Sequence, residues 1–92
     1  MNGRNKMNET IVWSKNGCPY CDMAKNMLRT SGVKYEERNI QTEEWTREQL
    51  LEAVPNAKTV PQIFMHGEYV GGYTELQKYY EDHNMWSGNT GV

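Results

Sequence analysis

Residues 16–28 read NGCPYCDMAKNML. Asn16-Gly17 is a turn signal, and Pro19, with its locked φ, suits the first turn of a helix. Met23, Ala24, Met27 and Leu28 recur at helical spacing, and Gly32 supplies the stop. Just upstream, Thr10-Ile11-Val12-Trp13 has the β-branched and aromatic content of a strand. The only two cysteines of the chain, Cys18 and Cys21, thus fall where a strand gives way to a helix. Two thiols in that place serve as half of a metal site, a structural staple or a redox centre.

The rest of the chain supplies the layers around this unit. Val33 to Ile40, VKYEERNI, reads as a second strand. Thr46 and Gln49 form a capping-box pattern that opens a helix carrying Leu50, Leu51 and Val54. Trp45 and Leu50 stand at the positions of a hydrophobic staple, and Pro55-Asn56 ends this helix. Gln62–Met65 and Glu68–Val70 are two short strands joined by a His66-Gly67 turn. Gly71-Gly72 breaks the second strand. Thr74 and Gln77 repeat the capping-box pattern before a last helix with Leu76, Tyr79, Tyr80 and His83. The order is β-α-β-α-β-β-α, expected to form a mixed four-stranded sheet flanked by three helices, a parallel pair in its first half and a hairpin in its second.

Ninety-two residues make a single domain, with a core over about 9–84 and residues 1–8 and 85–92 expected to be loose tails. A formal charge of −2 leaves no footprint for nucleic acid. No apolar run approaches the roughly 18 residues of a membrane span. The opening MNGRNKMNET has no apolar core, so a signal peptide is not expected and a cytoplasmic location is. Thiols are kept reduced there, which weighs against a permanent structural bridge. A bridge closing so short a loop would also remove little entropy from the unfolded chain.

Chemistry then favours the redox reading. Cys18 directly precedes a helix, where unpaired backbone N–H groups and the helix dipole favour an anion. Lys15, three residues upstream, adds a positive charge. Such surroundings lower a cysteine pKa to roughly 3.5–7.5. A drop from about 8.5 to about 5.5 raises the thiolate fraction at pH 7 roughly 30-fold. The weaker base gives back roughly 20-fold in nucleophilicity, so the benefit comes when Cys18 is the leaving group. Cys18 is expected to be an exposed nucleophile and Cys21, one turn further, its resolving partner. Structural zinc needs four ligands, and the chain adds only two distant histidines, His66 and His83, so no metal is expected.

Three motifs in order, Cys18-Pro19-Tyr20-Cys21, Thr59-Val60-Pro61-Gln62-Ile63-Phe64 and Gly71-Gly72-Tyr73-Thr74-Glu75-Leu76, resemble those of the dithiol glutaredoxins. The likeness runs from about Glu9 to about His83. It implies a thioredoxin-like fold, no tightly bound cofactor, and glutathione as reducing co-substrate. It also implies that Pro61 is cis, leaving the Val60 N–H and C=O beside Cys18 to pair with the cysteinyl backbone of glutathione. Thr59 and Tyr73 belong to the same binding stretches. Gly72, Tyr73, Thr74 and Glu75 open a helix whose N–H groups receive the γ-glutamyl carboxylate. Glu75 replaces the aspartate common in the family, which meets the γ-glutamyl ammonium. Tyr20 flanks the tripeptide, Lys15 and Arg47 are candidates for its glycine carboxylate, and Lys58 adds to the positive field. Met23, Met27, Tyr79 and Tyr80 are assigned to packing.

The expected function is glutathione-dependent reduction of protein disulfides and glutathione mixed disulfides. The expected partners are glutathione, disulfide-containing or glutathionylated proteins and, by resemblance, ribonucleotide reductase, with no nucleic acid or membrane and the protein a monomer. The competing readings are a small thioredoxin served by a flavoprotein reductase, and an iron–sulfur carrier dimer ligated by Cys18 and glutathione.

Overall fold

The computed structural model describes residues 9–84. The two tails proposed from sequence lie outside that range. In order the elements are β1 (Ile11–Ser14), α1 (Pro19–Thr30), β2 (Glu36–Asn39), α2 (Arg47–Ala53), β3 (Gln62–Met65), β4 (Glu68–Gly71) and α3 (Tyr73–Asp82). The sheet order is β2-β1-β3-β4. β1 and β2 are parallel, β1 and β3 antiparallel, and β3 and β4 form the hairpin. His66 and Gly67 both take positive φ, 53° and 88°, as a tight two-residue hairpin turn requires.

The two faces of the sheet bury different sets of residues. Val12, Ile63 and Met65 meet Ala24, Met27 and Leu28 of α1 and Leu76 and Tyr80 of α3. Tyr80 also hydrogen-bonds the Ser31 hydroxyl at the end of α1, which satisfies its phenol inside the core. The opposite face packs Trp13 against Leu50 of α2 and Val54 at its C-cap, with Trp45, Phe64 and Val60 around them. Alternation along β1, with Val12 facing one layer and Trp13 the other, links the two. Trp45, the residue ahead of the α2 cap, meets Trp13 edge-on at 5.6 Å. The α2 capping box is formed, with Gln49 N–H to Thr46 Oγ1 at 3.2 Å and Thr46 N–H to Gln49 Oε1 at 2.8 Å.

Three sequence expectations change. The second strand is Glu36–Asn39 rather than Val33 to Ile40, because Val33 N–H is still held by Leu28 O at 2.9 Å and pairing begins at Glu36 N–H to Thr10 O. The cap of α3 is Gly72, not Thr74: Glu75 reaches back to Gly72 N–H at 2.9 Å, which places Thr74 already inside the first turn. Met23 is 44% exposed and lies outside the core, on the solvent side of α1.

Candidate redox site

The last residues of β1 and the first turn of α1 bring the two cysteines together. Cys18 is the N-cap of α1 with an extended backbone, φ −113° and ψ 101°, and its sulfur accepts the Cys21 N–H at 3.1 Å. A helix start offers donors without intrahelical partners, and the cap sulfur takes one of them. The Cα atoms of Cys18 and Cys21 lie 5.2 Å apart and their sulfurs are joined in a disulfide. Cys21 is fully buried and Cys18 is 7% exposed. The exposed Cys18 expected from sequence is therefore not found in this oxidised form. Cys18 is the one of the pair that solvent touches.

Opposite the disulfide lies the Thr59-Val60-Pro61 segment. The Val60–Pro61 peptide bond is cis. The Val60 carbonyl oxygen stands 3.8 Å from the Cys18 sulfur, a contact that becomes an S–H···O hydrogen bond only once Cys18 is a thiol. Among the described residues the Val60 N–H has no hydrogen-bond partner. Two depressions flank this segment and share Thr59 and Val60. One, of about 190 Å³, is lined by Lys15, Arg47 and Lys58 among others. The other, of about 200 Å³, is lined by Tyr20, Pro61, Gly72, Tyr73, Thr74 and Glu75. Every residue proposed for glutathione thus lines one of two adjoining hollows, with three cations on one side and a helix start on the other.

At that helix start, Gly72 N–H is taken by Glu75, leaving the N–H groups of Tyr73, Thr74 and Glu75 as the donors of the first turn. Glu75 was expected to serve a ligand ammonium; here one of its oxygens is also its own helix cap. Tyr20 is 60% exposed, and its ring lies 5.9 Å from that of Tyr73, both lining the second hollow. Offset aromatic pairs at this spacing are attractive, so the two rings form one wall.

Several supporting residues escaped the sequence reading. Asn16, ahead of the cysteines, donates its N–H to Gln41 Oε1 at 2.9 Å. Gln41 N–H bonds Asn39 Oδ1 at 2.8 Å, and Asn39 Nδ2 returns to Asn16 Oδ1 at 3.0 Å. This closed ring of amides holds the Asn16-Gly17 turn to the end of β2. Lys25 of α1 meets Glu37 of β2 at 2.8 Å, and buried Ser14 donates to the same Glu37 oxygen at 2.7 Å. Burial alone would push the Glu37 carboxyl up, but the Lys25 and Ser14 hydrogen bonds and the Lys25 charge hold it below its usual value. For Lys25 burial also works against its charge, and the Glu37 and Asp22 contacts outweigh it and raise the ammonium. No sequence signal predicts the links of Asn16 to Gln41 and Asn39 or of Glu37 to Ser14 and Lys25, because they join residues 12 to 25 positions apart.

The family model for glutaredoxin matches residues 10–70, and so contains β1, both cysteines, the cis-proline and most of β4. The chain belongs to the glutaredoxin family. This glutaredoxin is 30% identical over 80 residues to glutaredoxin-C8 of Oryza sativa subsp. japonica, covering 83% of this chain and 59% of that one. It covers 32% to 49% of three other relatives, so it spans less than two thirds of the length of these proteins. Glutaredoxin 1 from Francisella tularensis aligns with a TM-score of 0.68 at 30% identity, over 84% of this chain and 95% of that one. A buckwheat glutaredoxin–glutathione complex aligns with a TM-score of 0.71 at 24% identity, over 90% and 80% of the two chains, a likeness of fold. The fold of this glutaredoxin is thioredoxin-like.

Proposed function

We propose that this glutaredoxin is a glutathione-dependent thiol–disulfide oxidoreductase. The observation that carries the reading is the cap geometry: the Cys18 sulfur accepts a helix N–H while facing the backbone beside a cis-proline. A thiolate in that place is stabilised by a charge-assisted bond and by the helix start. It leaves readily from a mixed disulfide, which suits repeated exchange.

On a glutathionylated protein, the Cys18 thiolate attacks the glutathione sulfur. The S–S bond breaks, the protein thiolate departs and takes a proton from water, and Cys18 carries glutathione as a mixed disulfide. A second glutathione thiolate attacks that glutathione sulfur, forming glutathione disulfide and returning the Cys18 thiolate. On a protein disulfide, Cys18 forms a mixed disulfide with one protein sulfur. The Cys21 thiolate then attacks Cys18, freeing the protein dithiol and leaving the Cys18–Cys21 bridge. Two glutathiones reduce this bridge in turn. Meanwhile the open Val60 N–H and C=O pair with the cysteinyl backbone of glutathione, as an added strand does. The three cations of the first hollow suit its glycine carboxylate, and the α3 start its γ-glutamyl carboxylate.

The glutathione-bound buckwheat relative supports the ligand by its shared fold. Ribonucleotide reductase as electron acceptor, a cytoplasmic setting and a monomeric state belong to the same reading. Turnover of a glutathionylated peptide coupled to glutathione and its reductase, compared with coupling to a thioredoxin reductase, is the test. Turnover in the first system is expected. Turnover only in the second would make the protein a thioredoxin in function.

A further inference from the structure

Gln62 follows the cis-proline and is 8% exposed, yet both ends of its amide are used. Its Nε2 donates to Thr59 O at 2.9 Å, and its Oε1 accepts the Tyr69 hydroxyl at 2.6 Å. Register explains how a β4 residue reaches it. Period-2 alternation puts Gln62 and Phe64 on one face of β3, and Tyr69 lies opposite Phe64, its ring 5.3 Å from the phenylalanine. Between the pairs Phe64–Tyr69 and Ile63–Gly71 the register shifts by a bulge that leaves Val70 unopposed. Such a bulge re-aims neighbouring side chains, here the Tyr69 hydroxyl toward the start of β3.

We propose that Tyr69 is a positioning residue that, through Gln62, aims the Val60 N–H at the bound ligand; this rests on the function proposed above. Thr59 C=O and Val60 N–H belong to one planar trans peptide and point in opposite directions. Holding Thr59 O against Gln62 Nε2 therefore turns Val60 N–H away, toward the hollows that Thr59 and Val60 line. An amide can flip, and a flipped Gln62 would set its oxygen against Thr59 O. Thr59 O only accepts, so it takes the Nε2 end, and the Tyr69 hydroxyl, donating to Oε1, anchors the other end and holds the amide against Thr59. Burial, and then the nearby Glu75 charge, raise the Tyr69 phenol, so it stays a donor near neutral pH. Tyr69 and Gln62 act only through the orientation of the Thr59–Val60 peptide.

The test compares wild type, Tyr69→Phe, Gln62→Met and the double variant. Phenylalanine keeps the ring contact with Phe64, and methionine keeps the volume of glutamine. With a glutathionylated peptide as substrate, each single change is expected to raise KM about fivefold, the loss of about one hydrogen bond, with kcat within about twofold. The Cys18 thiolate titration is expected to stay where it is. The double variant is expected to be no worse than either single, because both break one chain. An unchanged KM in an active Tyr69→Phe protein, or effects that multiply, overturns the proposal. If the wild type shows no turnover, the proposed function fails instead. The relay is then judged by the NMR order parameter of the Val60 amide, expected to fall in Tyr69→Phe from the roughly 0.85 of rigid backbone; no fall overturns it.

Discussion

The Cys21 backbone N–H points at the Cys18 sulfur from 3.1 Å, while the Cys21 side chain is fully buried beneath it. The same helical turn thus stabilises charge on one cysteine and shields the other.

This asymmetry separates the two thiols in function. Cys18→Ser is expected to abolish both protein-disulfide reduction and removal of glutathione from a glutathionylated peptide. Cys21→Ser is expected to spare the second reaction, since free glutathione can resolve Cys18. Parallel assays of both variants on both substrates check this, and equal losses would contradict the assigned roles.

Lys15 shares its hollow with Arg47 and Lys58, an exposed positive patch next to the cap. Lys15→Ala is expected to raise the Cys18 thiolate titration by about half a pH unit, with a smaller difference at high salt. Absorbance of the reduced protein near 240 nm follows the thiolate directly. A titration indifferent to both the mutation and the salt would leave the helix start as the whole source of stabilisation.

Glu37 ties Ser14 of β1 to Lys25 of α1, and the signs of the two shifts define a pH window. The Glu37 carboxyl is depressed, so its contribution is present above the usual 4.5 and is lost as pH falls through its folded value. The Lys25 ammonium is raised, so its contribution is present below the usual 10.5 and is lost as pH rises through its folded value. Glu37 is 35% exposed, which limits the pair to about 0.5 kcal/mol, or roughly 2–4 °C in Tm. Glu37→Gln is expected to melt lower by that amount near neutral pH and to converge with wild type in acid. Thermal melts across that range measure it; parallel curves would remove the pair from the acid response.

Gly71 ends β4 with φ +126°, and a Cβ there would stand 2.9 Å from Glu75 Cγ. Gly71→Ala is expected to cost about 1–3 kcal/mol through backbone strain alone. It should also push Glu75 off the Gly72 N–H and weaken glutathione binding, which calorimetry with glutathione disulfide would show. A fold as stable as wild type would mean that the turn relaxes to admit the methyl group.

Arg38 lies 4.2 Å from the centre of the Trp45 ring and 5.3 Å from that of Trp13, and also meets Glu36 at 2.9 Å. Lysine lacks the flat guanidinium that stacks on indole, so Arg38→Lys is expected to cost about 0.5–1 kcal/mol. Denaturant unfolding followed by tryptophan fluorescence reads the loss directly. No change would assign the ring contact to packing of the alkyl stem.

Local rules written in the sequence determined the element order. β-branched runs, a proline at a helix start, the Thr46–Gln49 box and the His66-Gly67 turn each act within a few residues, so their outcomes are legible one segment at a time. The cysteines at a helix start were legible for the same reason, since Cys18 and Cys21 lie a single turn apart. Where two local signals competed, sequence misjudged the winner: Glu75 capping from Gly72 displaced the Thr74 box, and the helix end held Val33 out of β2. The tertiary structure alone decided the burial of Cys18, the hollows on either side of Val60, and the Gln62–Tyr69 and Ser14–Glu37–Lys25 links. Those depend on which strands become neighbours and in what register, and a side chain's distant partners leave no trace in its own stretch of chain.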